Sequence, residues 1–249
     1  MSTDAPQSPT TASRIVRDED CVIIAAAPYA DDIRCSWFDP TTWGENAEPV
    51  SSGGRGTAWF VRHGDERWVL RHYSRGGLVA RLNQRHYLFT GEKRVRSFAE
   101  FNLLLEMQRM GLPVPQPVAS CYRRVMGCGY QASVILEELA GVCAFADYLH
   151  SPEHRTWREV GRTVRRFHDW GIDHADLNCH NILIAHEGPY LIDFDKGRRR
   201  RPCAEPCKWK NRNLSRLKRS IEKLASGEEL QKGWDRLIEG YNAERSSIS

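Results

Sequence analysis

The chain has 249 residues, of which 41% are apolar and 27% charged, with a formal net charge of +4. Such a length and apolar share suit one large domain or two lobes with buried cores, and exclude a wholly disordered chain. No run of about eighteen or more apolar residues occurs, so no membrane-spanning helix is expected.

The opening stretch MSTDAPQSPTTAS, residues 1–13, is small, polar and proline-containing. It has no apolar face, so it reads as a disordered tail, and it has no apolar centre behind a basic start, so it does not read as a secretory signal. The longest apolar run, CVIIAAAPYA from Cys21, is interrupted by a proline and is far too short to span a bilayer. With no export signal, the eight cysteines (Cys21, Cys35, Cys121, Cys128, Cys143, Cys179, Cys203 and Cys207) are expected as reduced thiols. Cys203 and Cys207 stand close together, but no second ligand pair accompanies them, so no zinc site is expected.

Next comes SSGGRGTAWFVRHGDERWVLRHYSRGG. Two short runs rich in Trp, Phe, Val and Tyr, 57–62 and 67–73, flank His-Gly-Asp-Glu and predict a hairpin. A glycine-rich turn at 53–56 precedes it. In VRSFAEFNLLLEMQRMGLPVP, Phe98, Phe101 and Leu105 recur at helical spacing beside a stripe of Glu100, Leu104 and Met107. Gly111 and Pro113 stop that helix. SVILEELAG reads as a buried strand.

A second helix is predicted in SPEHRTWREVGRTVRRFHDWG, capped by Ser151 with Pro152 in its first turn. Trp157, Val160, Val164 and Phe167 form its inward stripe, and Gly171 ends it. NILIAHEGPYLIDFD reads as two short strands around a His-Glu-Gly-Pro turn. The C-terminal segment is basic and helical, with Leu214, Leu217, Ile221 and Leu224 on one face. The order of elements makes an α+β chain in two parts, with a boundary near Ala140. Positive charge is concentrated in KGRRRR and KWKNRNLSRLKR, which suits a phosphate-bearing partner or a merely solvated helix face.

Two strings carry candidate chemistry: HADLNCHN from His174 and YLIDFDKG from Tyr190. Phosphoryl transfer needs its phosphates held, their charge neutralised by a metal, and the attacking hydroxyl aligned. An aspartate can align the hydroxyl and accept its proton; an amide oxygen and a second carboxylate can hold Mg²⁺, which prefers oxygen. Asp176, Asn181 and Asp193 supply these groups. Two polar loops at chance spacing would supply the same letters.

The pattern H-x-D-x-x-x-x-N, an Ile-Leu strand and then Ile-Asp-Phe resembles the catalytic centre of the protein-kinase-like superfamily. The resemblance implies a two-lobed fold, with a small β-rich N-terminal lobe over 14–140 and a mainly helical C-terminal lobe over 141–249. It implies Asp176 as catalytic base and Asn181 and Asp193 as metal ligands. Gly54, Arg55 and Gly56 fall where a glycine-rich loop would approach the phosphates, although Trp59 replaces the third glycine. Arg71 stands in place of lysine, with Glu100 as its expected partner; the plain alternative is a surface ion pair of little worth. Adenine would contact backbone near Glu138 and Leu139. Asp195 stands where a glycine would follow Asp193-Phe194, which argues against a glycine-based flip. His168 and His174 read as braces of the loop, and Cys179 as a spectator.

LRHYSRGGL, HADLNCHNIL, LIDFDKGRRR and WKNRNLSRLKRS together resemble the 3-deoxy-D-manno-octulosonic acid (Kdo) kinase family, over about 53–223. That resemblance implies use of ATP and Mg²⁺ to phosphorylate the 4-hydroxyl of Kdo on a lipid A precursor. It places the enzyme peripherally at the cytoplasmic face of the bacterial inner membrane. Lys196, Arg198, Arg199, Arg200 and Arg201 would face the anionic acceptor and the anionic membrane surface. Two readings stay open beside it: another small-molecule or protein kinase, and a non-catalytic kinase-shaped module, for instance one that binds RNA. Nucleic acid is not expected, since only Trp209 interleaves with the basic residues.

Overall fold

The structure, a computed structural model, describes residues 12–50, 58–73, 87–125, 128–150, 154–201, 203 and 206–243. Gly54, Arg55 and Gly56 lie outside the described residues, as do 1–11 of the expected tail and the expected cap residues Ser151 and Pro152. The chain forms two compact units. The first comprises the residues up to Arg109 together with Gln116–Glu138; the second comprises Met110–Pro115 and the residues from Leu139 onward.

In the first unit β1 (Ser13–Asp18) and β2 (Cys21–Ala26) lead into three 3-10 segments, Ala27–Tyr29, Cys35–Phe38 and Pro40–Asn46. Then come β3 (Ala47–Pro49), β4 (Ala58–His63), β5 (Glu66–His72), β6 (Tyr87–Leu88), helix α1 (Arg96–Arg109), β7 (Pro117–Val125) and β8 (Gly129–Glu137). They build one antiparallel sheet in the order β1-β2-β7-β8-β5-β4-β3, with β6 also on β8. The predicted hairpin is β4–β5, with Ala58 opposite Arg71 and His63 opposite Glu66. Gly64 turns it at φ +60, a left-handed conformation that glycine adopts without a Cβ penalty.

Alternation along β5 sorts the sheet's two faces. Trp68 and Leu70 enter a core with Ile23, Ile33, Phe38 and Ile135, so the 3-10 segments cover that face. Arg71 takes the other face, where it meets α1. The helical stripe of α1 is buried as its spacing predicts: Phe98, Phe101, Leu104, Leu105 and Met107 are each at most 5% exposed. β1, β2 and β7 were not expected from the sequence. β7 reads PVASCYRRV, with polar letters at positions that the sheet nevertheless buries, among them Ser120 at 0% exposure.

The second unit holds β9 (Cys143–Ala144), α2 (His154–Asp169), β10 (Ile172–Asp173), β11 (Ile182–Ala185), β12 (Gly188–Leu191), β13 (Arg198–Arg199), α3 (Lys208–Glu222) and α4 (Glu228–Ala243). β12, β11 and β9 form one small sheet; β10 and β13 form another. Trp157, Val160, Val164 and Phe167 are at most 2% exposed, and burial of each such side chain stabilises by about 1.5–3 kcal/mol. Helices α2 and α4 approach closely at glycines: a Cβ on Gly161 would lie 2.0 Å from the Leu237 carbonyl oxygen, and one on Gly240 would lie 2.1 Å from that of Arg158.

Three expectations need correction. Residues 110–115 do not belong with the first unit: Arg166 Nη2 donates to the Gly111 carbonyl at 2.9 Å and Leu191 N to that of Pro113 at 3.1 Å, both bonds within the second. The buried face of α3 is Lys210, Asn213, Leu217 and Ile221, whereas Leu224 lies beyond the helix and is 46% exposed. The thiols are not all reduced. Cys21 is bonded to Cys35 and Cys203 to Cys207, with Cα separations of 5.8 and 6.0 Å, within the bridging range. Cys121, Cys128, Cys143 and Cys179 remain free.

Candidate active site

Each unit holds its own set of groups. In the first, Arg71 Nη2 donates to Glu100 at 2.6 Å and 2.7 Å. The Tyr73 hydroxyl donates to the same carboxylate. The Glu100 side chain is 1% exposed and that of Arg71 22%, so this is no surface ion pair. Removing one partner of a buried pair leaves an uncompensated charge, which costs about 3–5 kcal/mol. Tyr73 extends the cluster beyond what the spacing of Arg71 and Glu100 indicated; its signal was an aromatic residue two positions along the same strand face.

In the second unit a ring of hydrogen bonds joins the two candidate strings. Asn181 Nδ2 donates to the Asp176 carbonyl at 3.0 Å, and Asp176 N donates to His174 Nδ1 at 3.2 Å. His174 Nε2 lies 2.9 Å from the Ile192 carbonyl, and Ile192 N donates to the Asn181 carbonyl at 3.1 Å. One neutral tautomer of His174, protonated on Nε2, satisfies both of its contacts. Burial lowers the pKa of this imidazole, which favours that neutral form. His174 therefore spans from the loop that carries Asp176 to the strand end that carries Asp193.

The ring leaves oxygen atoms available. The Asp176 side chain is exposed, and its carboxylate accepts no hydrogen bond among the described residues. Asn181 spends its amide nitrogen on the loop, so its Oδ1 keeps its lone pairs. Asp193 is held at φ +61, where a non-glycine residue is strained by about 1–2 kcal/mol; Asp195 takes no such conformation. An amide oxygen and two carboxylates, on segments that this ring ties to one another, are donors of the kind that a hard divalent cation such as Mg²⁺ prefers. Asn178, whose side chain accepts from His180 N and Asn181 N, shapes the turn between them.

A polar network centred on the buried Asp173 and Asn213 is bonded to this loop at His174, and most of it was not legible in the sequence. The Asp173 carboxylate accepts from Asn213 Nδ2 at 3.0 Å, Arg200 Nε at 3.0 Å, Arg200 Nη2 at 2.8 Å and Arg212 Nη2 at 3.1 Å. A carboxylate only accepts, so Asn213 presents its NH₂ to it. Asn213 Oδ1 then accepts from His174 N at 3.1 Å and faces His168 Nε2 at 3.3 Å. It follows that His168 donates from Nε2 and accepts the Tyr241 hydroxyl at Nδ1, 2.7 Å away. Burial, the largest cause, pulls the pKa of His168 down to about 4. Both histidines are thus neutral braces at neutral pH.

Two details change earlier expectations. Arg200 is not a free basic residue of the segment 196–201: it is fastened to Asp173, and its backbone N donates to the Gly171 carbonyl at 2.7 Å. The Glu138 backbone N–H already donates to the Arg67 carbonyl at 2.9 Å, so an adenine could not use it. Cys179 is buried, and its backbone N donates to Ser220 Oγ at 3.0 Å.

Comparison with known proteins concerns the family and the fold. The family model of the lipopolysaccharide kinase (Kdo/WaaP) family matches residues 41–241. The chain is 46% identical over 211 residues to a 3-deoxy-D-manno-octulosonic acid kinase of Xanthomonas oryzae pv. oryzae, covering 83% of each chain. It is 45% identical to one of Xylella fastidiosa, covering 82% of this chain and 83% of that one. Among solved structures it is similar to WaaP in complex with acyl carrier protein, with a TM-score of 0.55, 14% identity, and coverage of 92% of this chain and 88% of that one. It is also similar to an aminoglycoside-3'-phosphotransferase of type VIII, with a TM-score of 0.52, 14% identity, and coverage of 82% and 88%. At these identities the two structures speak for the fold, which is protein-kinase-like: a sheet-rich N-terminal part and a helical C-terminal part.

Proposed function

The chain belongs to the lipopolysaccharide kinase (Kdo/WaaP) family, and we propose that it transfers the γ-phosphoryl group of ATP to the 4-hydroxyl of a Kdo residue on a lipid A precursor. The observation that carries the reading is the hydrogen-bonded ring through His174, Asp176, Asn181 and Ile192. It holds a free carboxylate, a free amide oxygen and Asp193 together on one loop system.

Asp176 would align the acceptor hydroxyl and accept its proton as the new bond to phosphorus forms. Asn181 and Asp193 would hold Mg²⁺, which supplies charge neutralisation on the phosphates. Arg71 would fork two phosphate oxygens, kept in place by Glu100 and Tyr73. As the new bond to phosphorus forms, the bond between the γ-phosphorus and the β–γ bridging oxygen would break, ADP would leave with its electron pair, and Asp176 would pass the acceptor's proton on to solvent. His174 sets the position of Asp176 and stays neutral throughout.

Peripheral attachment to an anionic membrane completes the reading. No described helix is long and apolar enough to cross a bilayer. Lys196, Arg198 and Arg201 are exposed, and each basic residue near an anionic surface contributes about 1 kcal/mol. The test is direct: purified protein with ATP and Mg²⁺ should phosphorylate a Kdo-bearing lipid A precursor, with the product identified by mass spectrometry. A product phosphorylated elsewhere, or turnover retained by Asp176→Ala, would refute the assignment. A screen of other acceptors separates it from a kinase of different specificity, and a failure to bind ATP–Mg²⁺ from a non-catalytic module.

A further inference from the structure

More positive charge surrounds Asp173 than it can neutralise. Its Oδ2 accepts from two guanidiniums that come from different segments, Arg200 after β13 and Arg212 in α3. Its Oδ1 is taken by Asn213. Sharing one oxygen places the two Nη2 atoms within about 6 Å of each other. At that spacing one carboxylate offsets one guanidinium, and the second attracts a further anion. Each arginine also keeps donors with no partner among the described residues: Nη1 of Arg200, and Nε and Nη1 of Arg212. The side chains of Arg200 and Arg212 are 38% and 52% exposed, so those donors are within reach of a ligand.

The position relates this charge to the reaction. Asp173 precedes Asp176 by three residues, a span of about 11 Å at full extension, and Asn213 ties Asp173 to the His174 backbone. Planar guanidiniums held side by side suit the oxygens of a carboxylate or a phosphate. We propose that Arg200 and Arg212 form a clasp for an oxyanion of the acceptor, with Asp173 holding the two arginines at the required spacing. The inference rests on the reading of the chain as a kinase of an anionic glycolipid. Kdo is a sugar acid and the lipid A precursor carries phosphate, so the shared chemistry is an oxyanion on a sugar.

Arg212→Gln is the informative variant, because Arg200 and Asn213 still satisfy both oxygens of Asp173 and the fold is retained. The KM for the Kdo-bearing lipid acceptor should rise about tenfold or more, the loss of one to two charge-assisted hydrogen bonds. The KM for ATP should stay unchanged, and Arg212→Lys should recover part of the loss. Inorganic sulfate should compete with the acceptor in the wild type and lose that effect in Arg212→Gln. Free Kdo as acceptor separates the two sources. An equal penalty assigns the clasp to the carboxylate, and a penalty confined to the phosphorylated lipid assigns it to phosphate. An unchanged acceptor KM in both Arg212→Gln and Arg200→Gln overturns the clasp. So does a fall in kcat alone, which would leave the two arginines as braces of Asp173. If the wild type turns over no Kdo-bearing acceptor, the functional reading fails by itself. The clasp is then read from sulfate titration of the protein saturated with ATP–Mg²⁺. A rise in Tm in the wild type that Arg212→Gln lacks sustains the clasp, and no difference between the two overturns it.

Discussion

Acidification should loosen the second unit at His168. In the folded chain this imidazole sits among Asn213, Tyr241 and the Trp209 ring, and its pKa is pulled from 6.5 to about 4. In the unfolded chain it titrates near 6.5. Between these two values the unfolded state carries the proton and the folded state does not, so stability rises with pH across that window and falls as pH is lowered through it. At pH 7 the penalty is nearly absent. At pH 5 it amounts to about 2 kcal/mol from this one group. Burial lowers the pKa of His174 as well, so it adds in the same direction. At about 2–4 °C per kcal/mol for a chain of this size, His168 alone should lower Tm by roughly 4–8 °C between pH 7 and pH 5. The assay is calorimetry of the full chain at half-unit pH steps, beside His168→Gln, which keeps a donor toward Asn213 and removes the titration. Equal slopes for the wild type and the variant between pH 5 and pH 6.5 would refute the argument, as would a stability that rises on acidification.

Other substitutions separate chemistry from scaffolding. Asp176→Asn touches a side chain with no hydrogen-bond partner among the described residues, so Tm should hold while kcat falls at least about a hundredfold. Arg71→Met strands the buried Glu100 carboxylate; it should cost about 3–5 kcal/mol in chemical denaturation, and ATP affinity should drop with it. Gly161→Ala sets two rules against each other. Helix propensity favours alanine by about 0.5–1 kcal/mol, but the new Cβ would lie 2.0 Å from the Leu237 carbonyl oxygen. Backbone cannot yield cheaply, so thermal unfolding should show a net loss of about 1–3 kcal/mol.

Much of the candidate site could be read from local spacing. Asp176, Asn181 and Asp193 stand on two short strings, and the turn geometry that gathers them is encoded within those strings: Asn178 caps the 3-10 turn at Cys179–Asn181, and β11 returns on β12. The Arg71–Glu100 pair was legible from an alternating strand followed by a helical stripe. In each case the residues that matter repeat with the period of their own element, 2 or 3.6, which a linear reading detects.

The residues that support the site follow no such period. Asn213 is completely buried, yet it interrupts an apolar stripe, so a periodicity argument chose Leu214 and Leu224 as part of that face instead. Its partners lie 39, 40 and 45 positions away. The glycines at the α2–α4 crossing look like helix weaknesses until a facing carbonyl is seen to occupy the space where a Cβ would stand. The residues alone determined which groups can do chemistry and the element each stands on. Tertiary structure decided which buried polar atoms satisfy one another and how closely two backbones approach, because hydrogen bonding and steric exclusion act between neighbours in space, at separations along the chain that no local pattern records.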